Sequence, residues 1–138
     1  MARILGIDVG ERRIGVALSD ESGILATGIE VIDRKRTDPV ARVKALAEQH
    51  GVVTTIVGLP LDMDGGEGRS AKLARDLGGA LERKAGLSVV YVDERLTTVA
   101  AESALIEGGV RRQDRKGIID RIAAQLILQS YLDATPRP

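Results

Sequence analysis

Hydrophobic residues arrive along this chain in two rhythms. At first they form short, nearly continuous runs parted by turns. Arg3 to Val9 ends in Asp8-Val9-Gly10, Ile14 to Ser19 follows a charged turn, and Ile24 to Ile32 follows Glu21-Ser22-Gly23. Short apolar runs bounded by turn residues predict three strands in an antiparallel meander. The spacing then changes. Asp38-Pro39 offers a cap with proline at the first helical position, Val40, Val43, Leu46 and Ala47 recur at helical intervals, and His50-Gly51 closes the helix.

Val52 to Leu59 is again almost wholly apolar, as expected of a strand covered on both faces. Pro60 opens a loop too rich in glycine for regular structure, expected to be flexible through Arg69. Leu73, Leu77 and Leu81 then mark a second helix ended by Gly86. Ser88 to Val92 predicts a fifth strand. Thr97 or Thr98 can cap a third helix reaching Glu107, Gly108-Gly109 breaks it before a basic segment, and a last helix is expected from about Gly117 to Leu132. The order βββαβαβαα predicts an α/β fold with a mixed five-stranded sheet, an antiparallel meander followed by parallel strands, and helices on its faces.

Composition narrows the chemistry. The 138 residues suit one domain spanning 1–138, and 43% hydrophobic residues suffice for a core built of Val, Ile, Leu and Ala, since Phe and Trp are absent and Tyr91 and Tyr131 are the only aromatics. Without cysteine, disulfides, thiolate metal sites and a cysteine nucleophile are excluded. No secretory h-region and no apolar run of membrane-spanning length is present, so a cytoplasmic protein with no membrane partner is expected. The 20 basic and 20 acidic residues cancel, and any nucleic-acid site must therefore be local. Thr135 to Pro138 reads as a frayed tail.

Carboxylates stand where apolar surroundings should discourage them. Asp8 is flanked by Leu5, Gly6, Ile7 and Val9, and reads either as a turn-forming Asp-x-Gly or as a ligand. Asp93-Glu94-Arg95 follows Val89-Val90-Tyr91-Val92, at the carboxyl end of a strand, where open α/β sheets place their ligands; its plain alternative is a solvated strand end. On the last helix, Ile118, Ile119, Ile122, Ala123, Leu126, Ile127 and Ser130 form one stripe, and Asp120 lies roughly 110° from its centre at about 100° per residue. Asp120 is thus expected at the margin of the buried face, as a ligand or equally as a surface residue paired with Arg121 or Lys116. Three carboxylates without His or Cys suit Mg²⁺ or Mn²⁺ rather than zinc. Two such ions about 4 Å apart can activate a water and stabilise the leaving oxygen of a phosphodiester. His50, the single histidine, reads as a helix-end residue with no catalytic part.

Four segments carry a family resemblance. They are Ile7-Asp8-Val9-Gly10-x-x-Arg13-Ile14-Gly15-Val16-Ala17, Val57-Gly58-Leu59-Pro60-Leu61-Asp62-Met63-Asp64-Gly65, Val92-Asp93-Glu94-Arg95-Leu96-Thr97-Thr98, and Lys116-Gly117-x-x-Asp120-x-x-Ala123-Ala124-x-x-Ile127-Leu128. In order and spacing, over nearly the whole chain, they resemble the YqgF (also RuvX) family. Asp62 departs from the pattern, where Asn is more usual, and Glu11 and Gly66 fall at variable places. The resemblance implies a ribonuclease H-like fold related to the RuvC resolvases, with Asp8, Glu94 and Asp120 as catalytic metal ligands. It implies a nuclease maturing the 5′ end of precursor 16S ribosomal RNA, with an alternative as a Holliday junction resolvase acting on branched DNA.

With that resemblance, Arg13, Arg69, Arg95 and Lys116 are the residues expected to bind substrate phosphates. Each has a plainer reading, as charge neutralisation or as part of a solvated loop. Two aromatics are too few for base stacking along single strands, so backbone and shape recognition should dominate, with affinity falling steeply in salt. Two other function classes compete. An actin-like nucleotide phosphotransferase shares the Asp-x-Gly turn but clamps ATP between two such domains, and a non-catalytic nucleic-acid-binding module would leave the carboxylates idle. A monomer and a homodimer are both compatible with the sequence.

Overall fold

A computed structural model describes residues 2–94 and 112–135, with the side chains of residues 112–118 outside that description. Strands β1 (Ile4–Val9), β2 (Arg13–Ser19) and β3 (Ala26–Asp33) form the meander. Helix α1 (Pro39–His50), strand β4 (Thr54–Leu59), helix α2 (Arg69–Ala85), strand β5 (Ser88–Asp93) and helix α3 (Arg112–Ala134) follow. The sheet order is β3-β2-β1-β4-β5, antiparallel from β1 to β3 and parallel across β1, β4 and β5. This is the expected mixed five-stranded sheet. The helix expected from Thr97 or Thr98 to Glu107 lies outside the described residues.

Alternation along the strands divides two cores. Leu5, Ile7 and Val9 of β1 and Ile14, Val16 and Leu18 of β2 pack with Val43, Leu46, Leu77 and Leu81 under α1 and α2. The opposite face carries Ala17, Ala26 and Ile56 against Ala124, Ile127, Leu128 and Leu132 of α3. Side chains buried as completely as Leu81 contribute about 1.5–3 kcal/mol each to holding these layers together. Among the described residues no helix is long and apolar enough to cross a membrane.

Helix α1 begins and ends where its residues require. Asp38 accepts a hydrogen bond from the Val40 amide at 3.1 Å, Pro39 follows it, and Gly51 closes the helix in the left-handed region at φ 66°. The third strand starts later than its apolar run suggests. Asp20 Oδ1 accepts from the amides of Ile24 and Leu25, and this loop leaves both residues exposed ahead of Ala26. The Gly-rich segment carries contacts of its own. Leu61 pairs with Glu67, the Asp62 amide donates to Gly66, and Glu67 receives both Nε and Nη2 of Arg75, which tie it to α2.

The last helix differs most from the sequence pattern. It already includes Arg112, so the basic residues described before Gly117 are helical rather than part of a connecting loop. Arg, Gln and Lys are good helix formers, and Gly117 is tolerated inside a long helix held by packing further on. The buried face is also turned from the most hydrophobic stripe. Ala123, Ala124, Ile127, Leu128 and Leu132 face the sheet, whereas Ile122 and Leu126 are only partly buried and Ser130 is exposed. The cause lies in the strands. A Cβ at Gly6 would stand 2.6 Å from the Leu128 Cβ and 3.1 Å from the Ala124 carbonyl oxygen, and one at Gly28 would stand 2.9 Å from the Arg121 carbonyl oxygen. Glycines in the strands thus let the backbone of α3 approach the sheet along this face.

Candidate active site

Rotation of α3 onto the glycines of the strands changes the position of Asp120. Instead of lying at the margin, it lies on the sheet-facing side, with its backbone filling the space a Gly15 side chain would need. Gly15 is the cross-strand partner of Asp8. Asp8 and Gly6 project from β1 toward α3, opposite to Leu5, Ile7 and Val9. Asp8 and Asp120 are therefore brought together by the sheet pleat and by the seating of one helix, although they stand 112 positions apart in the sequence.

Glu94 arrives from the other side. It follows the last residue of β5, two strands from β1, with β4 between. Gly58 of β4 makes the reach possible: a Cβ there would stand 3.2 Å from the Glu94 Cδ and 2.5 Å from the Ile127 Cδ1. With no side chain in the way, Glu94 crosses β4 and shares a hydrogen bond with Asp8. Glu94 is itself only 7% exposed.

Such an arrangement is electrostatically unfavourable for a fully ionised pair. Burial raises the Asp8 pKa to about 9, reinforced by the hydrogen bond and by the charge of Glu94, so Asp8 keeps its proton at neutral pH. Burial and the charge of Asp8 raise Asp120 to about 6, against the opposing pull of Arg13. Arg13 Nε lies 3.4 Å from Asp120 Oδ2, a partner the helix geometry did not suggest; the side chain of Lys116, one of the partners expected, lies outside the described residues. Among the described residues no three carboxylates stand close enough to hold one metal ion as they are now turned. The donors at hand are nonetheless all carboxylate oxygens, suited to a hard divalent cation, and a cation would relieve the repulsion that a proton now relieves.

The expected phosphate-binding residues divide. Arg13 lines a cavity of about 250 Å³ with Gly10, Glu11, Arg12, Ile119 and Asp120, the one of the three carboxylates that reaches it. Arg69, the first residue of α2, is 83% exposed and its Nε is 3.4 Å from Glu11 Oε1, a contact that reaches across to the β1–β2 turn. Arg95 lies outside the described residues, and so does the side chain of Lys116. Sequence reasoning missed Gly15, Gly28 and Gly58 as the seats of the site. Their signal was available, since a glycine inside a strand pattern marks a close approach.

Residues 2–134 match the family model described as "RuvX: Holliday junction resolvase". This chain belongs to the RuvX family. Its relatives include a protein of Lactococcus lactis subsp. cremoris, 48% identical over 96% of this chain and 95% of its own length, and one of Symbiobacterium thermophilum, 48% identical over 96% and 92%. Both carry the name "Putative pre-16S rRNA nuclease". Among solved structures the RuvX chain is similar to Thermus thermophilus RuvC in complex with a Holliday junction substrate, at 16% identity and a TM-score of 0.58 over 100% of both chains. It also resembles the large terminase nuclease of thermophilic phage G20c, at 15% identity and a TM-score of 0.57 over 94% of this chain and 81% of that one. The expected RuvC-like, ribonuclease H-like fold is therefore the fold of this RuvX member.

Proposed function

We propose that this RuvX member is a divalent-metal-dependent nuclease of the cytoplasm that hydrolyses phosphodiester bonds at the 5′ end of precursor 16S ribosomal RNA. One observation carries the reading: Asp8 and Glu94 reach each other across a side-chain-free Gly58, with Asp120 seated over Gly15 beside them. Carboxylates held together at the cost of ionisation suit a site built for cations. Asp8, Glu94 and Asp120 would hold Mg²⁺ or Mn²⁺, which when bound supply an activated water and stabilise the leaving oxygen. The protein's own part is to orient. Arg13 stands beside the carboxylates to receive the scissile phosphate, and Arg69 stands further out along the β1–β2 turn for a neighbouring one. Arg95 and Lys116 are proposed to extend this phosphate path. Trimming an RNA end needs a single active site, so a monomer suffices.

A second reading is favoured by the family's description, and has the enzyme cutting four-way DNA junctions as a symmetric pair. Both are tested by incubating the chain with a labelled RNA spanning the 5′ leader and with a four-way junction, in Mg²⁺ or Mn²⁺, beside Asp8→Asn. RNA cleavage that requires metal and Asp8 supports the proposal. Paired nicks in the junction alone favour the resolvase, and binding of both without cleavage favours a non-catalytic module.

A further inference from the structure

Asp120 is engaged with a partner that competes with a metal ion. Arg13 and Asp120 form their ion pair at 3.4 Å with side chains 28% and 22% exposed, while Asp8 and Glu94 hydrogen-bond to each other without Asp120. The backbone is not the obstacle, because α3 already seats Asp120 over Gly15, directly across from Asp8. Only the side chain must turn. Arg13 also forms part of the wall of the 250 Å³ cavity that opens beside Asp120. A guanidinium presents a planar fork of donors that fits a phosphodiester as well as a carboxylate. A phosphate entering that cavity therefore competes with Asp120 for the same group.

We infer that Arg13 is a latch, holding Asp120 out of the cation site until a phosphodiester in the cavity takes the guanidinium and frees Asp120 to join Asp8 and Glu94. The inference rests on the nuclease reading and adds to it that the metal site is completed by the substrate. Arg13 is then a positioning residue for a metal ligand as well as a phosphate contact. Metal and phosphodiester bind with positive coupling, and the coupling is reciprocal.

Removing Arg13 also removes a nearby positive charge, which by itself raises cation affinity, so the test is a double-mutant cycle. Mn²⁺ alone is titrated by calorimetry into the full chain without nucleic acid, for wild type, Arg13→Gln, Asp120→Asn and the double variant. The latch predicts that Arg13→Gln binds Mn²⁺ about fivefold more tightly, the worth of one half-exposed ion pair released. It also predicts that this gain shrinks in the Asp120→Asn background to what the lost charge alone supplies. In a second titration, dimethyl phosphate at matched ionic strength tightens Mn²⁺ binding to wild type and not to Arg13→Gln. Should the Gln variant not fold, Arg13→Lys serves with the same sign and a smaller gain. Equal or weaker binding by Arg13→Gln, a gain that persists undiminished beside Asp120→Asn, or no Mn²⁺ uptake by any of the proteins overturns the latch. The titrations involve no cleavage, so RNA left uncut in the nuclease assay sinks the proposed activity while the cycle still reports on Arg13.

Discussion

Gly15 has no side chain because the backbone of Asp120 occupies the place where one would stand. This contact joins the seating of α3 to the geometry of the site, so a methyl group there perturbs both. Gly15→Ala is expected to destabilise the fold by about 3 kcal/mol, at the upper end for overpacking. The companion effect is loss of nuclease activity beyond what the fraction unfolded explains, because Asp120 is pushed from Asp8. Denaturant melts and activity at a temperature where the variant is folded separate the two.

Gly58 serves the other approach. A Cβ there meets the Ile127 Cδ1 at 2.5 Å and the Glu94 Cδ at 3.2 Å. Gly58→Ala is expected to cost about 1–3 kcal/mol of stability and to weaken Mn²⁺ binding by moving Glu94 from Asp8. Calorimetric titration of the folded variant checks it, and unchanged affinity would show that Glu94 needs no clear path across β4.

The metal-free site should weaken the fold as pH rises. Asp8 and Asp120 have their pKa values raised from 3.8 to about 9 and about 6. The native state therefore holds more protons than the unfolded chain, and stability falls with pH, from near pH 4 to near 6 for both groups and on toward 9 for Asp8 alone. Asp8→Asn removes the larger share. We expect it to abolish cleavage while stabilising the metal-free protein at pH 8 by on the order of 1–3 kcal/mol, and to flatten the decline in stability above pH 6. Urea melts across pH, in chelator, test this; a variant less stable than wild type at pH 8 would contradict it.

Gln129 protects an open edge. Its Oε1 accepts from the Ala26 amide at 2.9 Å and its Nε2 donates to the Ile24 carbonyl at 2.7 Å, while Gln125 Oε1 accepts from the Gly28 amide at 3.2 Å. These bonds from α3 occupy backbone groups of β3, an outer strand of the sheet, and of the loop that leads into it. Gln129→Leu leaves the Ala26 amide and Ile24 carbonyl without these partners, and should cost about 1–3 kcal/mol. It should also promote concentration-dependent association through the exposed Ile24 and Leu25, measurable by sedimentation.

How much of this was legible in the chain follows from the range of the interactions involved. The β1–β2–β3 meander, the capped ends of α1 and the doubly covered β4 depend on neighbours a few residues apart, so apolar runs, Asp38-Pro39 and Gly51 announce them directly. The fate of Ile24 and Leu25 was hidden because a single side chain, Asp20, outbid their strand propensity. Three carboxylates free of His and Cys, in the spacing of the RuvX family, pointed to hard-cation chemistry before any fold was known. What the tertiary structure alone decided is which face of α3 meets the sheet. Hydrophobicity favoured the stripe through Ile122 and Leu126, but Gly6, Gly15 and Gly28 make a side-chain-free floor on which the α3 backbone at Asp120, Arg121 and Ala124 rests closely, and the contact area gained by close packing prevailed. That rotation, which no local pattern encodes, carried Asp120 to Asp8 and placed it within reach of Arg13.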